Sequence, residues 1–323
     1  MSVLPLDPRL EGISPKSYEH PTDRAATAAL KSVPMLDTVV RKLTEFRYER
    51  SLRQLYLGNA VQVGPDQLGG TWAAYKRALH VLDMDEEYPL YLAHGVGGNA
   101  VTIGTGKPMI VVESSLHALL DPDEQRAVLA HELGHVLSDH VLYATALQII
   151  VQAARASVPF PFALPLRAIR TVLLEWFRAA ELTCDRAAVL AVRDPRIVCR
   201  TLMVVAGGRP SSELSLDAFL AQAMEYESWE DPHDRVRRFL VEVGVDHAFA
   251  VRRVSEVMRW VRSGEYDRIM AGEYRRRDEP PDPRGEASDA VDFYSERFKA
   301  AFRDAGDAVE KLGTQVSDFL RKS

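Results

Sequence analysis

Cysteine is scarce in this chain, where only Cys184 and Cys199 occur among 323 residues. Two thiols are too few for a disulfide framework and are typical of a reducing compartment. The first residues, MSVLPLDPRLEG, place proline and acidic side chains where an export signal needs a basic start and an apolar run. We therefore expect a cytoplasmic protein without an export signal.

Long apolar runs are also missing. The best candidate for a membrane span, residues 141–154, covers 14 residues and contains two glutamines. A spanning helix needs about 20 mostly apolar residues, so this segment predicts a buried helix instead. Peripheral membrane contact stays open, although nothing in the sequence requires it.

An excess of positive charge is absent as well. Aspartate and glutamate outnumber lysine and arginine by 46 to 40, which gives a net charge of -6. No basic patch with interleaved aromatic residues occurs, so we expect no nucleic-acid partner. With 46% hydrophobic residues, the chain can instead bury a sizeable globular core.

Apolar periodicity predicts a mostly helical chain around one small sheet. Residues that favour β-structure cluster in 88–93, 99–103 and 109–112, between glycine-rich turns. Short strands separated by such turns are typical of an antiparallel sheet. Helical segments follow the sheet to about residue 193, with a break at 159–161.

The first helix after the sheet has a strong start signal in Asp121, Pro122 and Glu124. Aspartate is a favoured cap, proline suits the first helical position, and glutamate three residues after the cap completes a capping box. This helix carries His131-Glu132-Leu133-Gly134-His135. The five residues therefore lie on a helix whose beginning is well defined.

Two histidines four residues apart share one helix face, at the spacing that two ligands of one metal ion require. Glu132 points to the side, from where it can reach a water at the ion and act as a general base. We interpret His131 and His135 as zinc ligands and Glu132 as the catalytic base. The alternative is an amphipathic helix with two incidental histidines.

A hydrolytic zinc site needs three protein ligands and one open position, so a third ligand should lie downstream. Glu181 and Asp185 stand one helical turn apart, on a predicted helix that begins near Leu166. We select Glu181 as the ligand and Asp185 as the acceptor that orients a histidine, because metal-bound imidazoles usually donate their other N–H to such a partner. An ion pair of Asp185 with Arg178 or Arg186 is the alternative.

Residues 99–185 resemble the HtpX-like zinc peptidases, a family that includes prenyl-protein endoproteases and Oma-type proteases. In that family a strand with Asn-Ala precedes a glycine-rich turn, a second strand, the HExxH helix, and a glutamate and an aspartate four residues apart. The corresponding residues here are Asn99, Ala100, 104–107, Met109 to Val112, His131 to His135, Glu181 and Asp185. His140 also matches a residue often present in the family, although a histidine on a helix surface is the alternative.

The resemblance implies a fold class that is α+β and predominantly α, a zincin-like domain of the gluzincin type with a small antiparallel sheet and an active-site helix. It also implies a metallopeptidase with one Zn2+ ion per chain. Many relatives carry membrane spans between the HExxH helix and the glutamate, but this chain keeps only shorter helices there, so we expect a soluble member. The domains that we predict are an N-terminal extension (1–24), the metallopeptidase domain (25–275), a linker (276–288) and a C-terminal amphipathic helix (289–323).

The second strand of the motif precedes the metal helix, and we expect it at the rim of the cleft. There an extended peptide would bind by strand addition, with an ordinary core strand as the alternative. By resemblance, Asn99 and Ala100 belong to the same binding region. The predicted substrate-binding residues of the strand are Met109, Ile110, Val111 and Val112.

A further family motif, His-Pro with an arginine six residues after the histidine, is altered here in 231–237. Asp231 replaces the histidine that can hold relatives latent, which puts that regulation in doubt. His233 is either a substitute or an exposed loop residue. By resemblance Arg237, or else Arg235, would lie near the active site, where a cation can stabilise a developing oxyanion.

The function predicted from these residues is zinc-dependent endopeptidase activity on peptides or unfolded proteins, in a setting such as protein quality control. A non-peptidase zinc hydrolase and a chaperone-like or latent peptide-binding protein remain as alternatives. A structural zinc protein would need a closed fourth ligand, such as His233 or Cys184. A buried apolar role is the more usual one for a cysteine like Cys184.

The last predicted helix, 289–323, has one largely apolar face. Such a stripe over about four heptads is typical of a helix that packs on another helix. We leave open whether it packs on the catalytic domain, self-associates or binds a partner, or contacts a membrane. The residues of the stripe are Val291, Tyr294, Phe298, Phe302, Ala305, Val309, Leu312, Val316 and Phe319.

Overall fold

A computed structural model of the chain describes residues 7–32, 48–95, 99–155, 160–228 and 248–279, and the single positions 36, 38, 40 and 41. The strands are β1 (Ala60–Gln62), β2 (Leu90–Ala93), β3 (Ala100–Ile103) and β4 (Met109–Glu113). The α-helices are α1 (Pro21–Ser32), α2 (Tyr48–Asn59), α3 (Gly69–Val81), α4 (Ser114–His117), α5 (Pro122–Leu137), α6 (Val141–Arg155), α7 (Phe160–Val192), α8 (Pro195–Gly207), α9 (Leu216–Ser228), α10 (Ala250–Arg262) and α11 (Glu265–Met270). The fold is therefore mostly helical with one small sheet, as predicted.

The strands form a sheet in the order β1-β2-β4-β3. The β3–β4 pair is antiparallel, as predicted, and β1 adds a further antiparallel pair with β2, but β2 and β4 run parallel. The sheet is mixed rather than antiparallel because β4 lies between β2 and β3, which both precede it in the chain. At the start of β3, Glu113 Oε2 accepts a hydrogen bond from the backbone N–H of Asn99 at 3.1 Å.

The interior position of β4 overturns one prediction. Met109, Ile110, Val111 and Val112 are buried, and their strand pairs with β2 on one side and β3 on the other. A strand with both sides paired has no free backbone groups for strand addition, so an edge position for this segment is wrong. The edge strand beside the metal helix is β3.

Helix α5 begins as its sequence predicts. The Asp121 side chain accepts from the Glu124 backbone N–H at 2.8 Å, and Glu124 Oε2 accepts from the Asp121 N–H at 3.0 Å. Pro122 occupies the first turn, where it removes no helical hydrogen bond. This capping box fixes the beginning of the helix that carries both candidate histidine ligands.

Helices α5 and α7 approach closely at Gly134. A Cβ atom placed on this glycine would lie 3.0 Å from Ala187 Cβ and 3.2 Å from Cys184 Cα. The missing side chain therefore lets the two helices pack at short distance. Helix α7 starts at Phe160, earlier than the predicted start near Leu166.

The N-terminal segment belongs to the same packed unit. Leu10, Ile13 and Tyr18 are buried in a core shared with α3, α5 and α7. The Ser14 backbone N–H donates to the Arg275 carbonyl at 2.9 Å, so the two ends of the described chain meet. Residues 7–24 of the predicted extension therefore pack into the domain. The predicted helix 289–323 lies outside the described residues.

A second core lies between α1, α6 and residues 169–180 of α7. It includes most of the predicted buried helix at 141–154, with Ala146, Leu147 and Ile150 inside. None of the helices in the described part of the chain is at once long enough and apolar enough for a bilayer span.

Candidate metal centre

Three donor atoms converge where α5 meets α7. His131 Nε2 and His135 Nε2 lie 3.3 and 3.2 Å from the same oxygen, Glu181 Oε1. In tetrahedral zinc coordination with bonds of about 2.0–2.1 Å, neighbouring ligand atoms are about 3.3 to 3.4 Å apart. The Glu181 oxygen therefore lies at the spacing of two zinc ligands from each histidine nitrogen.

The environment of His131 favours a cation at this point. Its Nδ1 lies 3.1 Å from Asp185 Oδ1, so Nδ1 carries the proton and Nε2 faces Glu181. Burial alone would lower the pKa of His131, but the charge of Glu181 and hydrogen bonds to Asp185 and Glu181 raise it to about 10. Either a proton or a metal ion on Nε2 would relieve the repulsion between its lone pair and the carboxylate.

His135 is oriented mainly by packing. Its ring stacks on Phe177 with centroids 5.5 Å apart and an angle of 2° between the planes. Its Nδ1 is buried and has no hydrogen-bond partner among the described residues. Burial lowers the pKa of His135, and the neutral imidazole is the form that binds metal.

Arg253, on α10, holds both carboxylates of the centre. Its Nη1 lies 2.8 Å from Glu181 Oε2, and its Nη2 and Nε lie 2.6 and 2.8 Å from the two oxygens of Asp185. Burial would raise the pKa of Glu181 and Asp185, but the charge of Arg253 overcomes it and lowers both. Both side chains are therefore anionic, as their predicted roles of metal ligand and hydrogen-bond acceptor require.

Arg253 was not among the residues predicted from the sequence. The signal that could have found it is spacing, because Arg253 follows His247 by six residues, as arginine follows histidine in the family motif. Ala248 stands where that motif has proline. Arg237 and His247 lie outside the described residues, so the role of Arg237 stays a prediction.

Cys184 offers another donor near the same histidines. Within the described residues, donor atoms of His131, His135 and Cys184 all lie within 4.8 Å of one another. However, burial and the surrounding carboxylates raise the pKa of the Cys184 thiol well above its usual range, and the thiolate is the form that binds metal. The Glu181 oxygen lies within 3.3 Å of both histidine nitrogens, and its lowered pKa keeps it anionic.

His140 lies inside the protein rather than on a helix surface. Its Nε2 lies 3.1 Å from Asp23 Oδ2, and its Nδ1 lies 3.7 Å from Cys184 Sγ. Asp23 also accepts from the hydroxyl of Thr183 at 2.6 Å. This buried network attaches α1 to the part of α7 that carries Glu181 and Asp185.

Glu132 lies beside the two histidines, and only 4% of its surface is exposed. Its Oε2 accepts a hydrogen bond from Thr102 Oγ1 at 2.7 Å. Thr102 belongs to β3, so the sheet and the metal helix meet at the predicted base. This contact places the base next to the edge strand.

Asn99 and Ala100 open that edge strand. Asn99 pairs with Glu113 of β4 through its backbone, so in an antiparallel ladder the backbone groups of Ala100 and Thr102 face away from β4. The Asn99 Oδ1 atom accepts from the Ala100 N–H at 2.9 Å. These outward-facing groups pair with no strand of the described sheet and lie beside Glu132, although Thr102 itself is buried.

Comparison with known proteins agrees with the geometry of this centre. Residues 76–261 match the family model described as Peptidase family M48. The chain belongs to this peptidase family. It is also 36% identical over 258 residues to the plastoglobule-localized metallopeptidase 48, chloroplastic, of Arabidopsis thaliana, with 78% of this chain and 74% of that protein covered. No solved structure matches the chain.

Membership of family M48 confirms the resemblance to zinc peptidases and sets the reaction class. The protein is a metallopeptidase, a hydrolase of peptide bonds that depends on a metal ion. The non-peptidase hydrolase and the structural zinc protein are thereby disfavoured. The metal donors of the described residues lie at the junction of α5 and α7, within the matched range.

Proposed function

We propose that this M48 metallopeptidase is a zinc-dependent endopeptidase that binds one zinc ion through His131, His135 and Glu181. The convergence of both histidine Nε2 atoms on one Glu181 oxygen supports the ligand set most directly. Two imidazoles and a carboxylate are also a typical donor set of catalytic zinc sites, which keep one position open for water.

Zinc bound there supplies Lewis acidity, which activates water near neutral pH and polarises a carbonyl. Glu132 takes the proton from the attacking water and delivers it to the leaving amine. Asp185 accepts from His131 Nδ1 and keeps that ring in place. Arg253 keeps the Glu181 and Asp185 side chains charged and oriented.

The substrate is an extended peptide that pairs with the outer side of β3. The outward backbone groups of Ala100 and Thr102 supply the ladder, next to Glu132. The Asn99 side chain accepts a hydrogen bond from the Ala100 N–H. This hydrogen bond would have to break before the Ala100 N–H could donate to a bound peptide. This proposal moves strand addition from β4, where it is excluded, to β3.

Cytoplasmic location and a role in protein quality control are parts of this proposal that rest on composition and resemblance. The relative from Arabidopsis thaliana carries plastoglobule and chloroplast localisation in its name, which concerns that protein. Fractionation of cells that express this protein, with and without a salt wash of the membranes, tests the location. Recovery in a membrane fraction that resists salt would contradict a cytoplasmic assignment.

The Glu132→Gln variant tests the mechanism. We expect it to keep zinc while hydrolysis of a quenched fluorescent peptide falls about 100-fold to 10,000-fold, the range for loss of a general base. Glu213→Gln, on an exposed turn, is the matched control and should keep full activity. Unchanged hydrolysis by Glu132→Gln at full zinc occupancy would exclude Glu132 as the base. Peptide binding without any cleavage by the native protein would favour the chaperone-like alternative.

A further inference from the structure

Thr102 is a buried threonine whose hydroxyl reaches the predicted base. Its Oγ1 lies 2.7 Å from Glu132 Oε2 and 3.1 Å from the Glu132 carbonyl oxygen. One hydroxyl has one proton, so it donates to one of the two oxygens at a time. The shorter distance is typical of an O–H donating to a charged carboxylate, so Oε2 is the acceptor.

The position of this hydroxyl is set by the sheet. Thr102 pairs with Ile110 of β4, which is held between two strands. Threonine branches at Cβ, so few rotamers are open to its side chain. Glu132 has a longer and freer side chain, and fixing such a chain costs conformational entropy. A rigid donor therefore meets a flexible base.

We propose that Thr102 is a positioning residue for peptide hydrolysis, which holds Glu132 Oε2 so that Oε1 faces the attacking water. The inference rests on the proposed role of Glu132 as the base. In the reaction, the proton leaves water, resides on Glu132 and passes to the leaving amine. Thr102 keeps its own proton throughout and acts only by orienting the carboxylate.

Substitutions at Thr102 separate the hydroxyl from the methyl group. Thr102→Val keeps the shape and the β-branch but removes the donor, whereas Thr102→Ser keeps the donor. Thr201→Val is the matched control, because Thr201 is also buried and donates only to the Ile197 carbonyl of its own helix at 2.9 Å. For each variant we would measure kcat, KM, bound zinc and the thermal unfolding midpoint.

We expect Thr102→Val to lower kcat about 10-fold to 100-fold, because a small displacement of a catalytic group costs rate without loss of binding. KM and bound zinc should stay within about twofold of the native values, since neither the strand backbone nor the ligands change. Thr102→Ser should keep kcat within about threefold. Thr201→Val should match the native protein.

A double substitution separates positioning from general structure. In the Glu132→Gln background, Thr102→Val should cause no further loss of kcat, because there is no base left to orient. The same loss in both backgrounds would overturn the proposal, as would an unchanged or raised kcat in Thr102→Val alone. An equal fall in Thr102→Ser and Thr102→Val would also overturn it.

Two further comparisons keep the test decisive. If Thr102→Val loses zinc or fails to fold, Thr102→Ser is compared with Thr102→Ala, which lacks both the methyl group and the donor. Equal kcat in that pair overturns the role of the hydroxyl, and loss in Thr102→Ala alone supports it. Full activity of Glu132→Gln would overturn the proposed base, whereas an inactive Glu132→Gln beside a fully active Thr102→Val removes only the positioning role.

Discussion

Arg253 Nη2 lies 2.6 Å from Asp185 Oδ1, and Nε of the same guanidinium lies 2.8 Å from Asp185 Oδ2. This two-pronged pair joins α10 to α7 in the interior of the protein. The remaining prong, Nη1, reaches Glu181 Oε2 at 2.8 Å. The Glu181 carboxylate therefore has one oxygen near the two histidines and the other near a permanent cation.

Arg253→Met should destabilise the metal-free protein by about 3–5 kcal/mol, because it leaves two buried carboxylates without their cation. Bound zinc would compensate the charge of Glu181, so the loss should be smaller in the zinc-loaded protein. Urea unfolding with a chelator and with added zinc measures both values.

Arg259→Met on the same helix is the control for this experiment. Its side chain is 53% exposed and pairs with Glu256 and Glu227. The guanidinium itself reaches solvent, and the mostly buried Glu256 keeps His20 as a partner, so we expect a change below about 1 kcal/mol. If Arg253→Met loses the same free energy of unfolding with and without zinc, zinc does not compensate the charge of Glu181.

Alanine variants of three neighbours on α7 should rank the candidate donors. Glu181→Ala should lose zinc, because a site with three protein ligands cannot readily spare one. Asp185→Ala should weaken zinc binding about 10-fold to 100-fold, the usual effect of removing the partner of a ligand. Cys184→Ala should keep zinc at full occupancy. Metal analysis after dialysis against a graded chelator measures all three.

Two outcomes of that analysis would change the assignment. If Glu181→Ala retains zinc and Asp185→Ala loses it, Asp185 is the ligand and Glu181 is the residue that orients a histidine. Zinc lost in Cys184→Ala, with the fold intact by circular dichroism, would make the thiol a ligand.

Gly134→Ala should lower both stability and zinc affinity. The new methyl group would lie 3.0 Å from Ala187 Cβ, so α5 and α7 must separate, at a cost of about 1–3 kcal/mol. Alanine favours the helix over glycine by about 1 kcal/mol. A Gly134→Ala protein that is more stable than the native one would therefore show that the two helices accommodate the methyl group without strain. Gly58→Ala, where nothing lies within 4 Å of the added atom, should stabilise slightly and serves as the control. Thermal unfolding and zinc titration of both variants decide it.

The buried Asp23 carboxylate should make the stability of the folded protein depend on pH. Burial alone would raise its pKa, but the neighbouring His140 and hydrogen bonds from His140, Thr183 and Thr27 lower it from 3.8 to about 2. A depressed folded-state pKa contributes stability that is complete above about pH 4 and is lost as the pH falls towards 2. The contribution is about 2 kcal/mol.

Asp23→Asn should therefore cost about 2 kcal/mol at pH 6, and its difference from the native protein should shrink between pH 4 and pH 2.5. Urea unfolding of the metal-free proteins at these pH values measures the difference without the effect of zinc release. If the difference in free energy of unfolding does not change with pH, protonation of Asp23 is not linked to folding.

The sequence was sufficient for the metal helix because its signals are local. Asp121 and Glu124 form the predicted capping box, and the histidine spacing follows directly from helix geometry. The choice of Glu181 and Asp185 relied on the same one-turn spacing. These parts of the site need no knowledge of how distant elements pack.

The errors concern relations between distant segments. Strand β4 lies inside the sheet because it inserts between β2 and β3, a relation between distant segments. The unbroken apolar run Met109 to Val112 is nevertheless typical of a strand buried within a sheet. Arg253 reaches Asp185 across 68 positions of sequence, through the packing of α10 on α7. Thr102 likewise joins Glu132 only because the sheet meets the helix.

The contact between Ser14 and Arg275 also has a consequence for synthesis. A ribosome releases the N-terminal segment first, yet the carbonyl that accepts its hydrogen bond is made more than 250 residues later. Arg253 is likewise made long after the histidines of α5. The proposed metal centre, which Arg253 helps to hold together, can therefore be complete only after most of the chain has been translated.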